Sequence, residues 1–155
     1  QHVYDGDTIV IEGFTHLICF AAGHEIIHPI ACEASLATLE LIQGGLGANA
    51  SKTGSRLLRK LKKLKKIHPL IGDVRGIGLM IGVELVKNRK NKEPHASAAH
   101  EIVQRAFKRG LLMLPCGESV IRFSPPLIIR PSQVDAAVEV FSEVLSQYEK
   151  ENHLK

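Results

Sequence analysis

Three places in this chain hold residues whose types and spacing could do chemistry. The first is His24-Glu25-Ile26-Ile27-His28, an H-E-x-x-H spacing. On a helix, that spacing sets two imidazoles on one face for zinc, with a glutamate beside them as base. Glu33 or Glu40 could complete the ligand set, and the reading would be a zinc metallohydrolase. Pro29 argues against it. Proline disfavours the helical conformation of the residue before it, and its ring clashes with the carbonyl four residues back. The expectation is a helix that opens at Pro29, a motif that arises by chance in a chain with eight histidines, and no bound metal. The second place is Gly76, Gly78 and Gly82, whose spacing is GxGxxxG and not the GxGxxG of a dinucleotide fingerprint. The third is Arg122, inside the apolar run Val120-Ile121-Arg122-Phe123. A guanidinium in such a run needs an anion, because an unpaired buried charge is costly. Its planar fork suits a carboxylate. From the residues alone that carboxylate belongs equally to a ligand or to Glu84 or Glu118.

The elements that would position these groups follow from periodicity and punctuation. Pro29 can open a helix, since the N–H it lacks would be unpaired in the first turn. Ile30, Ala34, Ala37 and Leu41 line one face of it, and Gly44-Gly45 ends it. A basic helix follows from near Asn49 to Ile67, with Leu57, Leu58, Leu61 and Leu64 at helical spacing and Pro69 as its stop. From Gly76 to Val86 the apolar residues alternate, which predicts one strand with Gly78 and Gly82 on the face opposite the apolar one. Asn88 to Pro94 reads as a loop, and Ser97 to Lys108 as a helix capped by Gly110. Leu111 to Leu114 reads as a strand, Pro115-Cys116-Gly117 as a turn and Ser119 to Phe123 as a strand. A last helix runs from Pro131 to Tyr148 with Val134, Ala137, Val138, Phe141 and Leu145 inward. The sum is an α+β fold, a small antiparallel or mixed sheet covered by helices.

Composition narrows the function classes. At 45% hydrophobic and 23% charged, the 155 residues suit a globular domain with a real core. Neither a basic, then apolar, leader nor an 18-residue apolar run occurs, so a cytoplasmic protein without a membrane span is expected. Cys19, Cys32 and Cys116 are an odd set without CxxC spacing, which argues against a disulfide framework and a cysteine zinc site. The net charge of +4 concentrates in Lys52, Arg56, Arg59, Lys60, Lys62, Lys63, Lys65 and Lys66. With no aromatic residue among them, this reads as a solvated helix face and not as a nucleic-acid or membrane surface.

Three segments together resemble the class-III, pyridoxal-phosphate-dependent aminotransferases, the family of 4-aminobutyrate, ornithine and acetylornithine aminotransferases. They are His28-Pro29-Ile30-Ala31 through Ala37-Thr38-Leu39-Glu40, Gly72-Asp73-Val74-Arg75-Gly76-Ile77-Gly78-Leu79-Met80-Ile81-Gly82-Val83-Glu84, and Gly110 through Pro125-Pro126-Leu127. The resemblance implies that residues 29–150 are the family's C-terminal small domain and that 1–28 are an atypical N-terminal segment. It implies amino transfer between an amino acid, such as 4-aminobutyrate or ornithine, and a 2-oxo acid. It places Arg122 on the substrate carboxylate, and in one alignment sets Cys19 where a threonine would hold the cofactor phosphate. No lysine here matches the family's Schiff-base position. The expectations are therefore no catalytic residue in this chain, little or no pyridoxal phosphate bound by it alone, and no transamination. A homo-oligomer, with Phe14 to Ile27 as contact, is also expected. The alternative is a non-catalytic remnant or interaction domain.

Overall fold

The structure, a computed structural model, describes residues 21–153, with side chains from residue 31 onward. It divides into two compact units, Gln1–Gly45 and Leu46–Lys155. In the first, helix α1 spans Ala21–Leu41. It does not open at Pro29 but runs through it, so the expected break is absent. An interior proline costs a helix about 3 kcal/mol, through a lost hydrogen bond and a ring clash. Good helix formers after it, among them Ala31, Ala34, Leu36, Ala37 and Leu39, carry the helix on. The chain leaves helical geometry only at Gly45, with φ 131°, inside the wide turn Ile42–Leu46. The glycine pair does end the helix, as its type predicts.

The second unit holds the sheet. Helix α2, Gly47–Ile67, buries Thr53, Gly54, Leu57, Leu61 and Leu64 and leaves most of its lysines in solvent. Strands β1, Ile71–Ile77, and β2, Met80–Asn88, form an antiparallel hairpin with Ile77 opposite Met80. The single strand expected over Gly76 to Val86 is thus two strands. The alternation from Ile77 to Leu85 hid a reversal at Gly78-Leu79, where only Gly78 has positive φ, 54°. A glycine first in a two-residue turn matches the right-handed twist of the flanking strands. The reversal also swings Ile77 to the surface, 84% exposed, while Ile81, Val83 and Leu85 stay fully buried. A Cβ at Gly54 would stand 2.0 Å from the Gly78 carbonyl oxygen, so α2 lies backbone to backbone on the hairpin turn.

The short strand β3, Glu93–Pro94, pairs with β2 where a plain loop was expected. Helix α3, Ala96–Lys108, follows and ends at Gly110, φ 80°. Strand β4 is Leu114–Cys116, three residues later than expected, because the reversal falls after Cys116 and not at Pro115. Gly117, with φ 61°, supplies the turn into β5, Val120–Phe123. Helix α4, Pro131–Glu151, closes the chain. The sheet order is β1-β2-β5-β4, with β3 on β2, and every pairing is antiparallel.

One face of this sheet, with Val74, Ile81, Val83, Leu85, Ile121 and Phe123, packs on α2, α3 and α4 in a single core. Phe123 meets Phe141 of α4 edge to face, with ring centres 5.2 Å apart. Each fully buried side chain of this kind stabilises by about 1.5–3 kcal/mol. The helices cover only that face. The other carries Asp73, Arg75, Met80, Glu84, Arg122 and Leu114, all partly or fully exposed.

Candidate carboxylate-binding site

Arg122 stands on β5 between two strands, opposite Gly82 of β2 and Leu114 of β4. Strand alternation sends Ile121 and Phe123 into the core and Arg122 to the open face. Gly82 leaves no side chain beside it on the β2 side, which gives the glycine the sequence singled out a place in this site. Leu112, Met113, Phe123, Ser124 and Pro125 line with Arg122 a cavity of about 190 Å³. Ser124 and Arg122 are the polar residues among its nearest lining, so its walls are largely apolar.

The guanidinium is unspent. Its Nε is buried and has no hydrogen-bond partner among the described residues. Neither acid the sequence offered takes it. Glu84 is bound by Arg75, which also reaches Asp73 at 3.2 Å. Glu118 is exposed on the turn after β4. Hydrogen bonding to Glu84 first and Asp73 second raises the Arg75 pKa. Burial pushes the Asp73 carboxyl up, and its hydrogen bonds from Lys65 and Arg75 outweigh that and leave it low. The open face therefore holds one arginine closed on acids of its own chain and one, Arg122, left open.

The loop after β5 is held from α2. Asn49 Nδ2 donates to the carbonyls of Leu127 at 2.6 Å and Ile129 at 3.2 Å. Thr53 Oγ1 donates to Asn49 Oδ1 at 3.1 Å. This latch fixes the Pro125-Pro126 stretch that walls the cavity. Sequence reading missed Asn49, Thr53 and Arg75. Asn49 and Thr53 sit one turn apart at the start of the basic helix, a faint signal for a shared task.

The remaining expectations separate clearly. The side chains of Cys19, His24, Glu25 and His28, and the proposed contact from Phe14 to Ile27, lie outside the described residues. Glu33 and Glu40 are exposed on α1, and no group of three metal-ligating side chains occurs among the described residues. The basic face of α2 is partly spent on neighbours. Arg56 and Lys60 both hold Asp135, at 2.6 and 3.0 Å, and Lys65 holds Asp73. Those partners pull the Asp135 carboxyl far below the usual range. No described helix is long and apolar enough to cross a membrane.

Residues 27–145 match the family described as Aminotransferase class-III. The chain belongs to the class-III aminotransferase family. Among its relatives are an isoleucine 2-epimerase of Lentilactobacillus buchneri, 37% identical over 79% of this chain and 27% of that one. A leucine/methionine racemase of Thermococcus litoralis is 39% identical over 79% of this chain and 28% of its own. The 4-aminobutyrate aminotransferase GabT of Escherichia coli is 37% identical over 77% of this chain and 29% of its own. An omega transaminase of Pseudomonas jessenii in complex with PMP has the same fold, with TM-score 0.75, 29% identity, and 81% of this chain and 28% of that one covered. This class-III chain thus spans under a third of the length of the curated relatives it matches.

Family membership implies pyridoxal phosphate, and the described residues do not fit it. The cavity beside Arg122 is lined by no lysine to bond the aldehyde and no carboxylate to meet the pyridinium nitrogen. Beside that cavity the described part of this class-III chain sets a buried guanidinium Nε without a hydrogen-bond partner.

Proposed function

We propose that residues 29–150 serve as the small domain of a pyridoxal-phosphate-dependent enzyme of amino-acid metabolism, with Arg122 holding the substrate carboxylate. The observation that carries this is the buried, unpartnered Nε of Arg122 beside a cavity of about 190 Å³. A buried donor left unsatisfied costs about 1–3 kcal/mol, which a carboxylate ligand would recover through charge-assisted hydrogen bonds. The reaction we assign to the whole enzyme is amino transfer between an amino acid, such as 4-aminobutyrate or ornithine, and a 2-oxo acid. Arg122 would orient the substrate, and the apolar walls would keep water from competing for the guanidinium. The chemistry at the amino group belongs to parts of the enzyme beyond the described residues. A homo-oligomer in the cytoplasm belongs to this reading.

A second reading is inversion at the α-carbon of an aliphatic amino acid. The apolar lining of the Arg122 cavity favours it, as do the isoleucine 2-epimerase and leucine/methionine racemase among the relatives. Both readings need the same carboxylate anchor, so one experiment tests the shared core. In a nitrogen-15 spectrum of the chain, the Arg122 Nε–H resonance should move on titration with L-leucine and with 4-aminobutyrate. The shift should vanish in Arg122→Met. A resonance that stays put at saturating carboxylate, in a folded chain, would defeat the assignment. A larger response to leucine than to 4-aminobutyrate would favour the second reading.

A further inference from the structure

A different face of α4 from the one that lines the Arg122 cavity carries Asp135, Glu139, Ser142 and Ser146, spaced to share one stripe. This stripe borders an open groove of about 750 Å³, which Lys60 and Leu64 of α2 and Arg109 after α3 also line. Behind it lie two polar groups that the proposed carboxylate site does not use. His68 is 2% exposed and Glu149 is 8% exposed. His68 Nδ1 stands 2.7 Å from Glu149 Oε2, and His68 Nε2 stands 3.1 Å from Ser142 Oγ. The second Glu149 oxygen accepts from the Leu70 backbone N–H at 3.3 Å, which fixes the carboxylate.

A hydroxyl within reach of an imidazole, with the imidazole oriented by a buried carboxylate, is the arrangement that activates a serine. The carboxylate at Nδ1 selects the tautomer whose lone pair sits on Nε2, facing Ser142. Ser142 is partly exposed where it lines the groove, so an electrophile can reach its oxygen from the solvent side. We infer that Ser142 is an activated nucleophile that accepts an acyl group from small esters, with His68 as its base and Glu149 as the positioning residue. Ser142 Oγ bonds to the ester carbonyl carbon while its proton passes to His68 Nε2. The ester C–O bond then breaks, and the alcohol leaves with that proton. Water repeats the sequence on the acyl-serine and releases the carboxylic acid, so that ester and water give acid and alcohol. Lys60 and Arg109 line the same groove, Lys60 paired with Asp135 at 3.0 Å and Arg109 with Glu143 at 3.1 Å. Asp135, Glu139 and Glu143 line it as well, which disfavours an anionic acyl group and selects neutral or cationic esters.

The test is labelling of the 155-residue chain with a fluorophosphonate probe, with the adduct located by mass spectrometry. Ser142 should carry the label, with fluoride released, and Ser142→Ala should carry none there. Glu149→Gln, folded by circular dichroism, should react at least about a hundredfold more slowly, the scale of a lost positioned base. Ser146 is the internal control, because it lines the same groove and has no imidazole bond among the described residues. A folded wild-type chain with no adduct on Ser142, or with Ser146 labelled as fast as Ser142, overturns the inference. So does a folded Glu149→Gln that reacts at the wild-type rate. None of these readouts involves Arg122, so the carboxylate reading stands or falls separately.

Discussion

Arg122, partly withdrawn from water, and His68, wholly withdrawn, are polar side chains that this small unit treats in opposite ways. Around His68 the groups are closed on one another. Glu149 takes one ring nitrogen, Ser142 meets the other, and Arg89 ties down the chain between α2 and β1. Its guanidinium donates to the carbonyls of Pro69 at 3.2 Å, Ile71 at 3.2 Å and His68 at 2.6 Å, and also to that of Lys65. Around Arg122 nothing closes: the nearby acid Glu84 belongs to Arg75, and a buried Nε is left without a partner. The difference teaches where the fold stores stability and where it keeps binding capacity. A satisfied buried cluster is expensive to break, whereas an unsatisfied one is expensive to keep unless a ligand completes it.

The largest effect should come from opening the closed region. Glu149→Ala leaves His68 and the Leu70 N–H buried without their acceptor. Removing one member of a buried pair costs about 3–5 kcal/mol. Urea unfolding should show an unfolding free energy lowered by that much, through a lower midpoint with an unchanged slope. A loss under 1 kcal/mol, on the order of an exposed ion pair, would mean that water already reaches the pair, and the contrast with Arg122 would weaken.

How legible each region was in the sequence follows from the range of its interactions. The helices and β5 came from periodicity and from local punctuation, such as Pro131 and Gly110, and these signals act within a few residues. Arg122 was legible because one charged residue in an apolar run is a local anomaly. Its open state was not, because it depends on Arg75 claiming Glu84 across β1 and β2. His68, Ser142 and Glu149 gave no sign, since the partners lie 74 and 81 residues apart. The hairpin was lost for another reason. A strand that reverses through two residues keeps its alternation on paper, and only the positive φ that Gly78 permits distinguishes a turn from a continuation. Pro29 misled in the opposite sense, because a steric preference of about 3 kcal/mol was read as a prohibition.

A smaller effect separates His68 from a second histidine. His95 holds the N-cap position of α3 without a side-chain capping bond, its ring lies edge-on to Tyr148 at 6.2 Å, and no carboxylate bonds to it among the described residues. Burial and then the Lys87 charge lower its pKa, and Glu93 only partly opposes them. A positive charge at a helix N-terminus is also unfavourable. The folded state therefore binds the His95 proton more weakly than the unfolded chain does. Stability from this residue is full above the unfolded value of 6.5 and is lost as pH falls through the depressed folded value. His95→Gln should flatten the stability profile in that window, as read by urea midpoints at stepped pH. An unchanged slope there would place the protonation cost on another group.

The smallest effect should come from the open region, and its smallness is what makes it informative. Arg122→Met keeps an unbranched stem of similar length against Leu114 and removes a guanidinium that makes no described hydrogen bond at its buried Nε. The substitution deletes an uncompensated desolvation cost and forfeits no ion pair, so the two changes that usually decide such a mutant point the same way. Thermal and urea midpoints should stay within about 0.5 kcal/mol of wild type, the range of a surface change, or rise. The same variant should lose the carboxylate response of the Nε–H resonance entirely. Stability kept while binding is lost would mark Arg122 as held open for a ligand. A loss above about 2 kcal/mol would instead mean that the guanidinium has a partner in its own chain, at a strength typical of a charged hydrogen bond. The two regions would then differ in degree only, and the cavity beside Arg122 would be a packing feature of the sheet edge.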